Sequence, residues 1–598
     1  MTTRPEFVRQ ATWFPTRTFT HAKTAPETLA ANGFLSELLS STDRQALRDI
    51  NVSLTRLAID QCAADAGARN QIDLGTQICL ALANFEAHGV SNEDLLDLSG
   101  RFDVVFPWSL LYGNVRTPFN ARLIRLPLAI VFPRTVEEVV HWVNFVRDRG
   151  FSVSIRSGNN SYEGLSSANE IVIDVSFLTI KPETQFEIDA QNQLVHVAPG
   201  VRLGVLYTEL ANAGFALAGG QCAPVCIGGL VGTGGIGFAS RRFGFVCDGL
   251  VEVEVVLADG RVVVANAGNE YADLYRACKG AGAAGLGVMT RLTMKIEPAV
   301  PLLWYAVVFD PEMTAAEGPK ILAAWQELAK APPVLSSAAA ATASNDGSSI
   351  IVAFGEYRVE EGDACQAVET LKSLLDEYWL CKLSSKPLVL IEPFPLDESE
   401  TLGQGTIEAA TVAAVLAPMP IFNQWKLKSK FTFGPLTAVE WALVCDFLRR
   451  RAPSNDPATA SGVVNSIVLG GASNSIDPES AVVPVREGAT LWIHAGAIWN
   501  DESIGDQALA WVDELWTILD TFASPTAFYV CPDLQLGSQL TDPPKLDYVR
   551  AYWSSLTHDF VDFLIGVKNK YDPDDVFRFA QSIPLSLADP DAAAAFSE

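Results

Sequence analysis

The spacing of apolar and polar positions divides this 598-residue chain into three stretches. Up to about residue 100 the period is helical. In "STDRQALRDINVSLTRLAIDQ", Leu47, Ile50, Leu54, Leu57 and Ile59 follow a Ser41/Thr42 cap, which predicts an amphipathic helix. "GTQICLALANFEAHG" and "SNEDLLDL" predict two more. Nothing in these helices carries chemistry, so they read as a packing subdomain, set against the rest of the chain or a partner chain.

From Pro127 strands and helices alternate. "AIVFP", "FSVSIRSG", "EIVIDVS" and "LVHVAPG" are strands, while "TVEEVVHWVNFVRDRG" and "RLGVLYTELANAG" are amphipathic helices. "VEVEVVLADGRVVVANAG" is a hairpin turned at Asp259-Gly260. Between Pro301 and Ala527 both kinds of element lengthen, as in "SIIVAFGEYRV", "TAVEWALVCDFLRRR" and "ATLWIHAGAIW". The Ala/Ser run 336–344 is either a linker or one arm of a hairpin, since Asn345-Asp346-Gly347 follows it. The tail from "KLDYVRAYW" reads as helix until Asp572-Pro573. No internal repeat is present.

Composition narrows the partners. A formal charge of −27 repels nucleic-acid phosphates and anionic membranes. No apolar run approaches the roughly 20 residues of a membrane span, and no secretory h-region opens the chain. The ten cysteines show no disulfide-framework pattern, which favours a reducing, cytoplasmic setting. The six histidines form no zinc motif, so no metal is expected.

The chemistry lies in glycine-rich turns. "RSGNNSYEG", residues 156–164, bends a strand sharply, and such turns cradle phosphates with backbone N–H groups. "GGLVGTGGIG", residues 228–237, lacks the Gly-Lys-Ser/Thr of a P-loop. With no strand entering it and no helix opening from it, it is not a Rossmann turn either. Each cluster alone reads as a mobile loop.

Taken in order, the clusters resemble the flavoproteins of the vanillyl-alcohol-oxidase type (PCMH-type), and within them the berberine-bridge-enzyme-like group. "RSGNNSYEG" is similar to that family's R-S-G-G-H-S-Y-E-G, and "GGQCAPVCIGGLVGTGGIGFASRRFGFVCDG" to its second glycine segment. "DLYRACKGAGAAGLGVMTRLTMKIEP", "WKLKSKF", "PVREGATLWIHAGAIW" and "CPDLQLG" match further landmarks. The resemblance implies an α+β protein binding FAD. Its parts would be an N-terminal helical extension (1–105), a two-part FAD-binding domain (106–298), and a substrate domain whose antiparallel sheet is backed by helices (299–527). A C-terminal segment (528–598) would return to the FAD domain.

By the same resemblance, Arg156, Ser157, Gly158, Asn159, Asn160, Ser161 and Gly164 would wrap the pyrophosphate. Gly228, Gly229, Gly234 and Gly235 would let the chain pass the dinucleotide, and Val288 would offer backbone groups to the flavin ring. The family histidine that bonds to the flavin is replaced, with Asn159 and Asn160 standing where Gly and His are usual. A carboxamide nitrogen is a poor nucleophile, so no histidyl link forms, while Asn tolerates left-handed backbone well. Cys222 matches the family's second attachment residue, which implies a single covalent link, and Cys226 is its competitor. Val225 matches the position that gates oxygen.

Tyr162 keeps a family active-site tyrosine, but Ile236 replaces another. Trp492 and His494 replace a Lys and a Gln on one strand face. His494 becomes the candidate for proton transfer, with an ordinary pKa near ~6.5. Trp492 would be an apolar stacking wall. Phe528, Val530 and Cys531 replace Tyr, Asn and Tyr, and Tyr529, out of step on a presumed strand, would turn to the opposite face from Phe528 and Val530. Tyr529 and Cys531 either line the pocket or pack. The function implied is an FAD-dependent oxidase using O2 on an apolar or aromatic metabolite of secondary metabolism, including oxidative cyclisation. The alternatives are a cyclase on the same fold without net redox chemistry, and a relic binding protein. A homo-oligomer is compatible with all three.

Overall fold

The structure is a computed structural model describing residues 44–64, 74–167, 170–360, 362–393, 424–457 and 459–587. The expected N-terminal helices are present as α1 (Arg44–Ala64), α2 (Leu74–Ala87) and α3 (Asn92–Arg101). The Ser41/Thr42 cap lies outside the described residues. Helix α1 does not bury the face its leucine spacing implied: Ile50 and Leu57 are 45% and 61% exposed, while Asn51, Thr55 and Ala58 are buried. Hydrogen bonds explain the rotation. Asn51 Nδ2 donates to Val104 O at 3.0 Å, and Trp108 Nε1 donates to Thr55 Oγ1 at 2.9 Å. A further correction concerns the cysteines: Cys62 of α1 and Cys79 of α2 form a disulfide. Such bonds persist in oxidising surroundings, so the cysteines no longer argue for a reducing compartment.

The first sheet contains β1 (Val104–Val105), β2 (Ala129–Val131), β3 (Val153–Arg156) and β4 (Ile171–Asp174), in the order β1-β2-β4-β3. Strands β2, β4 and β3 run parallel, so the connection from β2 to β3 crosses over through α4 (Val136–Arg149). Thr135 caps α4 by accepting from the Glu138 N–H, and Gly150 ends it at φ 70. Val139, Trp142, Val143 and Val146 bury one face of α4 in the core shared with the N-terminal helices.

The second sheet is antiparallel. It comprises β5 (Phe186–Asp189), β6 (Leu194–Val197), β7 (Leu250–Val256), β8 (Val262–Asn266) and β9 (Val288–Lys295), in the order β5-β6-β9-β7-β8. The β7–β8 hairpin turns at Asp259-Gly260 as predicted. Helices α5 (Leu203–Asn212), α6 (Ile227–Gly232) and α7 (Ala272–Ala281) accompany this sheet. Helix α6 opens just before the glycines that the sequence presented as loop and runs into them.

The third sheet is larger and wholly antiparallel: β10 (Leu302–Phe309), β11 (Ala338–Thr342), β12 (Ile351–Arg358), β13 (Leu388–Pro393), β14 (Gln424–Phe433), β15 (Ala460–Val468) and β16 (Ala489–Trp499), ordered β13-β10-β12-β11-β15-β16-β14. The alanine run is therefore a strand, paired with β12 from Ala341 opposite Ile351. Period-two alternation gives the sheet two different faces. Leu491, Ile493, Ala495, Ala497 and Trp499 pack under α8 (Pro311–Trp325), α9 (Ala364–Tyr378), α10 (Ala438–Arg450) and α11 (Gly505–Leu519). Trp492 and Ile498 face the other way, into a core shared with the second sheet.

The tail is not one helix. It divides into α12 (Asp547–Trp553) and α13 (Val561–Tyr571), because Ser555 Oγ captures the N–H groups of Thr557 and His558. Lys568 of α13 reaches the second sheet's glycine turn, donating to Gly285 O at 3.1 Å while pairing with Asp572 at 2.5 Å.

Candidate active site

Between the two smaller sheets and the third lies a cavity of about 320 Å³. It runs from Val153, Ile155 and Phe577 past the loop after β3 to the open face of the third sheet. The loop after β3 carries the first sign of a ligand. The backbone N–H groups of Gly158, Asn159, Asn160 and Ser161 meet no acceptor among the described residues. Successive unpaired amides in a tight turn make a concavity for anions. The turn is held by its asparagines. Asn159 takes the left-handed conformation, φ 56, and its Nδ2 donates to Thr117 O at 3.0 Å. Asn160 Nδ2 donates to Gly158 O at 2.9 Å and to Pro224 O at 3.3 Å, tying the turn to the Cys222–Cys226 segment.

Gly229 lies beside this turn. A Cβ there would meet only Ser157 Oγ, at 3.6 Å, so its hydrogen leaves room facing the cavity. Gly228 has a different reason: its Cβ would stand 2.3 Å from Pro199. Of the expected cofactor contacts, Ser157 to Ser161, Cys222, Val225, Gly228 and Gly229 line the cavity. Arg156, Gly164, Gly234, Gly235 and Val288 stand behind the wall. Arg156 is spent on a buried ion pair with Asp174 at 2.6 Å, and Val288 lies within β9, opposite Val256. Gly234 packs against Phe528 and Gly235 against Val246, both at positive φ.

The same cavity gathers the expected substrate residues: Tyr162, Ile236, Trp492, His494, Tyr529 and Cys531. Trp492 and His494 share the cavity face, their rings stacked 5.1 Å apart at 9°. The strand expected at 528–531 is instead a turn, closed by Cys531 N donating to Phe528 O at 2.9 Å. A turn lacks face alternation, so Tyr529, Val530 and Cys531 all reach the wall. Tyr529 is nonetheless anchored from behind, its hydroxyl donating to Gln581 O at 3.1 Å.

Burial sets the protonation states. His494 keeps some surface towards the cavity, but its depth pushes its pKa down to about 4, which corrects the expectation of a near-neutral value. It is an uncharged imidazole at neutral pH. Burial, with Cys222 and Cys531 adding to it, raises the Tyr162 pKa well above the ordinary tyrosine value. Cys226 is pushed up to about 12 by burial and donates to Gly200 O at 3.1 Å, the behaviour of an inert thiol.

The residues present suit an extended dinucleotide. Besides the open amides, buried atoms of six lining residues have no partner among the described residues: Ser166 Oγ, Gln221 Nε2, Trp425 Nε1, Asn465 Oδ1, Trp492 Nε1 and His494 Nε2. Buried polar atoms are rarely left so. Comparison with known proteins identifies the ligand. Residues 127–284 match the FAD binding domain family, and residues 527–584 the berberine and berberine-like family. The chain carries both of these domains and is similar to the berberine-bridge-enzyme-like flavoproteins. It is 25% identical over 481 residues to the uncharacterized FAD-linked oxidoreductase YgaK of Bacillus subtilis (strain 168), covering 79% of this chain and 94% of that one. It is 24% identical to the tetrahydroberberine oxidase of Berberis wilsoniae, covering 77% and 85%. The structure of BBE-like 1 from Physcomitrella patens superimposes with a TM-score of 0.67 and 26% identity over 82% of this chain and 98% of that one. This berberine-bridge-enzyme-like chain is an FAD-dependent oxidoreductase.

Sequence reasoning missed several wall and support residues. Phe119, Gln221, Trp425 and Asn465 line the cavity, and Lys426, Glu163 and Asp533 form an ion cluster behind it. Lys426 and Glu163 lie inside quoted motifs, so their charge within apolar surroundings was the available signal. Asn465 lay in an unremarkable strand.

Proposed function

We propose that this protein is an oxidase that takes a hydride from an uncharged, apolar or aromatic small molecule and passes the electrons to O2. The observation carrying this reading is the aromatic and apolar part of the cavity lining. Phe119, Tyr162, Ile236, Trp425 and Trp492 build it, and no Asp, Glu, Lys or Arg lines the cavity among the described residues. A charged substrate would lose its hydration there without compensation.

The amides of residues 158–161 and the space at Gly229 would hold FAD, which would supply the hydride acceptor. The chain's own residues handle the rest. Trp492 offers a flat apolar surface to a ring. Tyr162, kept protonated, donates to a substrate oxygen. His494 accepts at Nε2 the hydroxyl proton released as the hydride departs. Val225 matches the oxygen-gating position of the family and lines the wall with a small side chain, which supports O2 as acceptor. Cys222, at the wall, is the proposed single attachment point of the cofactor.

The test is oxygen uptake by the purified yellow protein against a panel of uncharged aromatic alcohols and amines. Turnover with anaerobic bleaching of the flavin supports the oxidase. The low pKa of His494 favours a second reading, a cyclisation without net redox chemistry, which would convert substrate with neither bleaching nor oxygen uptake.

A further inference from the structure

We infer that Asn465 and His494 together recognise a single neutral hydroxyl group, and that Asn465 determines the preference for hydroxyl-bearing ligands over capped or anionic ones. The inference rests on the proposed function only in seating the substrate against this face of the third sheet.

The register of that sheet carries the argument. Asn465 of β15 stands directly opposite His494 of β16, which in turn stands opposite Ser429 of β14. Directly paired side chains across strands lie close enough to serve one small group. The rows on either side are apolar: Ile467, Trp492 and Phe431 on one, Val463, Gly496 and Leu427 on the other. Within the polar row, the Ser429 hydroxyl is already engaged by the Phe528 N–H at 3.0 Å. Asn465 Oδ1 and His494 Nε2 are buried without a partner among the described residues, and both side chains line the cavity.

Leaving such atoms unmet is costly, and a ligand group that answers both recovers that cost. The uncharged imidazole has one donor and one acceptor nitrogen, and a carboxamide has one donor and one acceptor end. A hydroxyl, donor and acceptor at once, complements this pair in either arrangement. With Asn465 Oδ1 as the unmet acceptor, the hydroxyl donates to Oδ1 and accepts from His494 Nε2–H; the other tautomer of His494, with the carboxamide turned over, is the one that serves oxidation. An ether oxygen cannot donate, and a carboxylate brings a charge with no counter-charge on the wall.

The experiment is calorimetric titration of the flavin-bearing protein with 4-phenylphenol, 4-methoxybiphenyl and biphenyl-4-carboxylate. The phenol should bind at least about tenfold more tightly than the ether, the equivalent of one good hydrogen bond. The carboxylate should not bind. In Asn465→Leu, phenol affinity should fall to that of the ether while ether affinity holds. Equal binding of phenol and ether by the natural protein, retention of the preference in Asn465→Leu, tight binding of the carboxylate, or binding of none of the three would each overturn the inference. Titration reads binding alone, so absence of oxygen uptake would count against the oxidase and leave this result standing.

Discussion

Lys426 Nζ lies 2.5 Å from Glu163 Oε1 and 2.7 Å from Asp533 Oδ1, with all three side chains less than 10% exposed. Burial works against the lysine's charge, but Glu163 and then Asp533 outweigh it and hold its pKa above the ordinary lysine value. Arg122 braces Glu163 from the other side at 2.8 Å. Glu163 follows Tyr162, Lys426 follows Trp425, and Asp533 ends the turn carrying Tyr529 and Cys531. One ammonium group therefore joins three parts of the cavity wall that are far apart in sequence.

Lys426→Met should be costly, because it leaves two buried carboxylates without their shared cation. Removing one partner of such a group destabilises by about 3–5 kcal/mol. Denaturant unfolding would show it as a fall in midpoint. A loss below about 1 kcal/mol would mean that water replaces the lysine and that the cluster does not hold the wall together.

The two adjacent glycines of α6 should separate fold from cofactor. Gly229→Ala places its methyl in open space, 3.6 Å from Ser157 Oγ, so the apoprotein should melt within a degree or two of the natural one, as expected for a change of no more than about 0.5 kcal/mol. The purified variant should nonetheless lose most of its yellow colour. Gly228→Ala drives a Cβ into Pro199 and should cost stability first. Full flavin content in Gly229→Ala would move the cofactor away from this turn.

Acid precipitation followed by absorbance of pellet and supernatant tests the attachment residue. Flavin should stay with the protein and be released in Cys222→Ala. Cys226→Ala should leave it attached, since burial keeps that thiol protonated. Retention in the Cys222 variant would refute the assignment.

His494 gives the fold a pH dependence of known sign. Its folded pKa of about 4 lies below the ~6.5 of an unfolded histidine, so the unfolded state binds the extra proton first. The full contribution is present above about pH 6.5 and is lost as pH falls towards 4. Between pH 7 and pH 5 the natural protein should therefore lose about 2 kcal/mol more stability than His494→Phe. Parallel curves for the two proteins would show that the imidazole is hydrated rather than enclosed.

How much of this was legible in the sequence depends on the range of the interaction. Local rules placed the hairpin at Asp259-Gly260, the helix over Val136–Arg149 and the Trp492/His494 face, because turn chemistry, capping and strand alternation act over a few residues. The ordered glycine motifs revealed the flavin fold, since close backbone approach restricts which residues can stand there. The same rules misjudged α1, where Asn51 and Thr55 face inward because Val104, Ser109 and Trp108 meet them with hydrogen bonds. They misjudged residues 528–531 too, where a turn anchored on Ser429 replaces a strand. Asn465 meets His494 only through sheet register. The low basicity of His494 comes from the depth at which the folded chain buries it, and its partnership with Asn465 from strand pairing across 29 residues of sequence. Burial and register are properties of the assembled sheet, which is why the sequence could name the histidine while only the tertiary structure decided its charge and its neighbour.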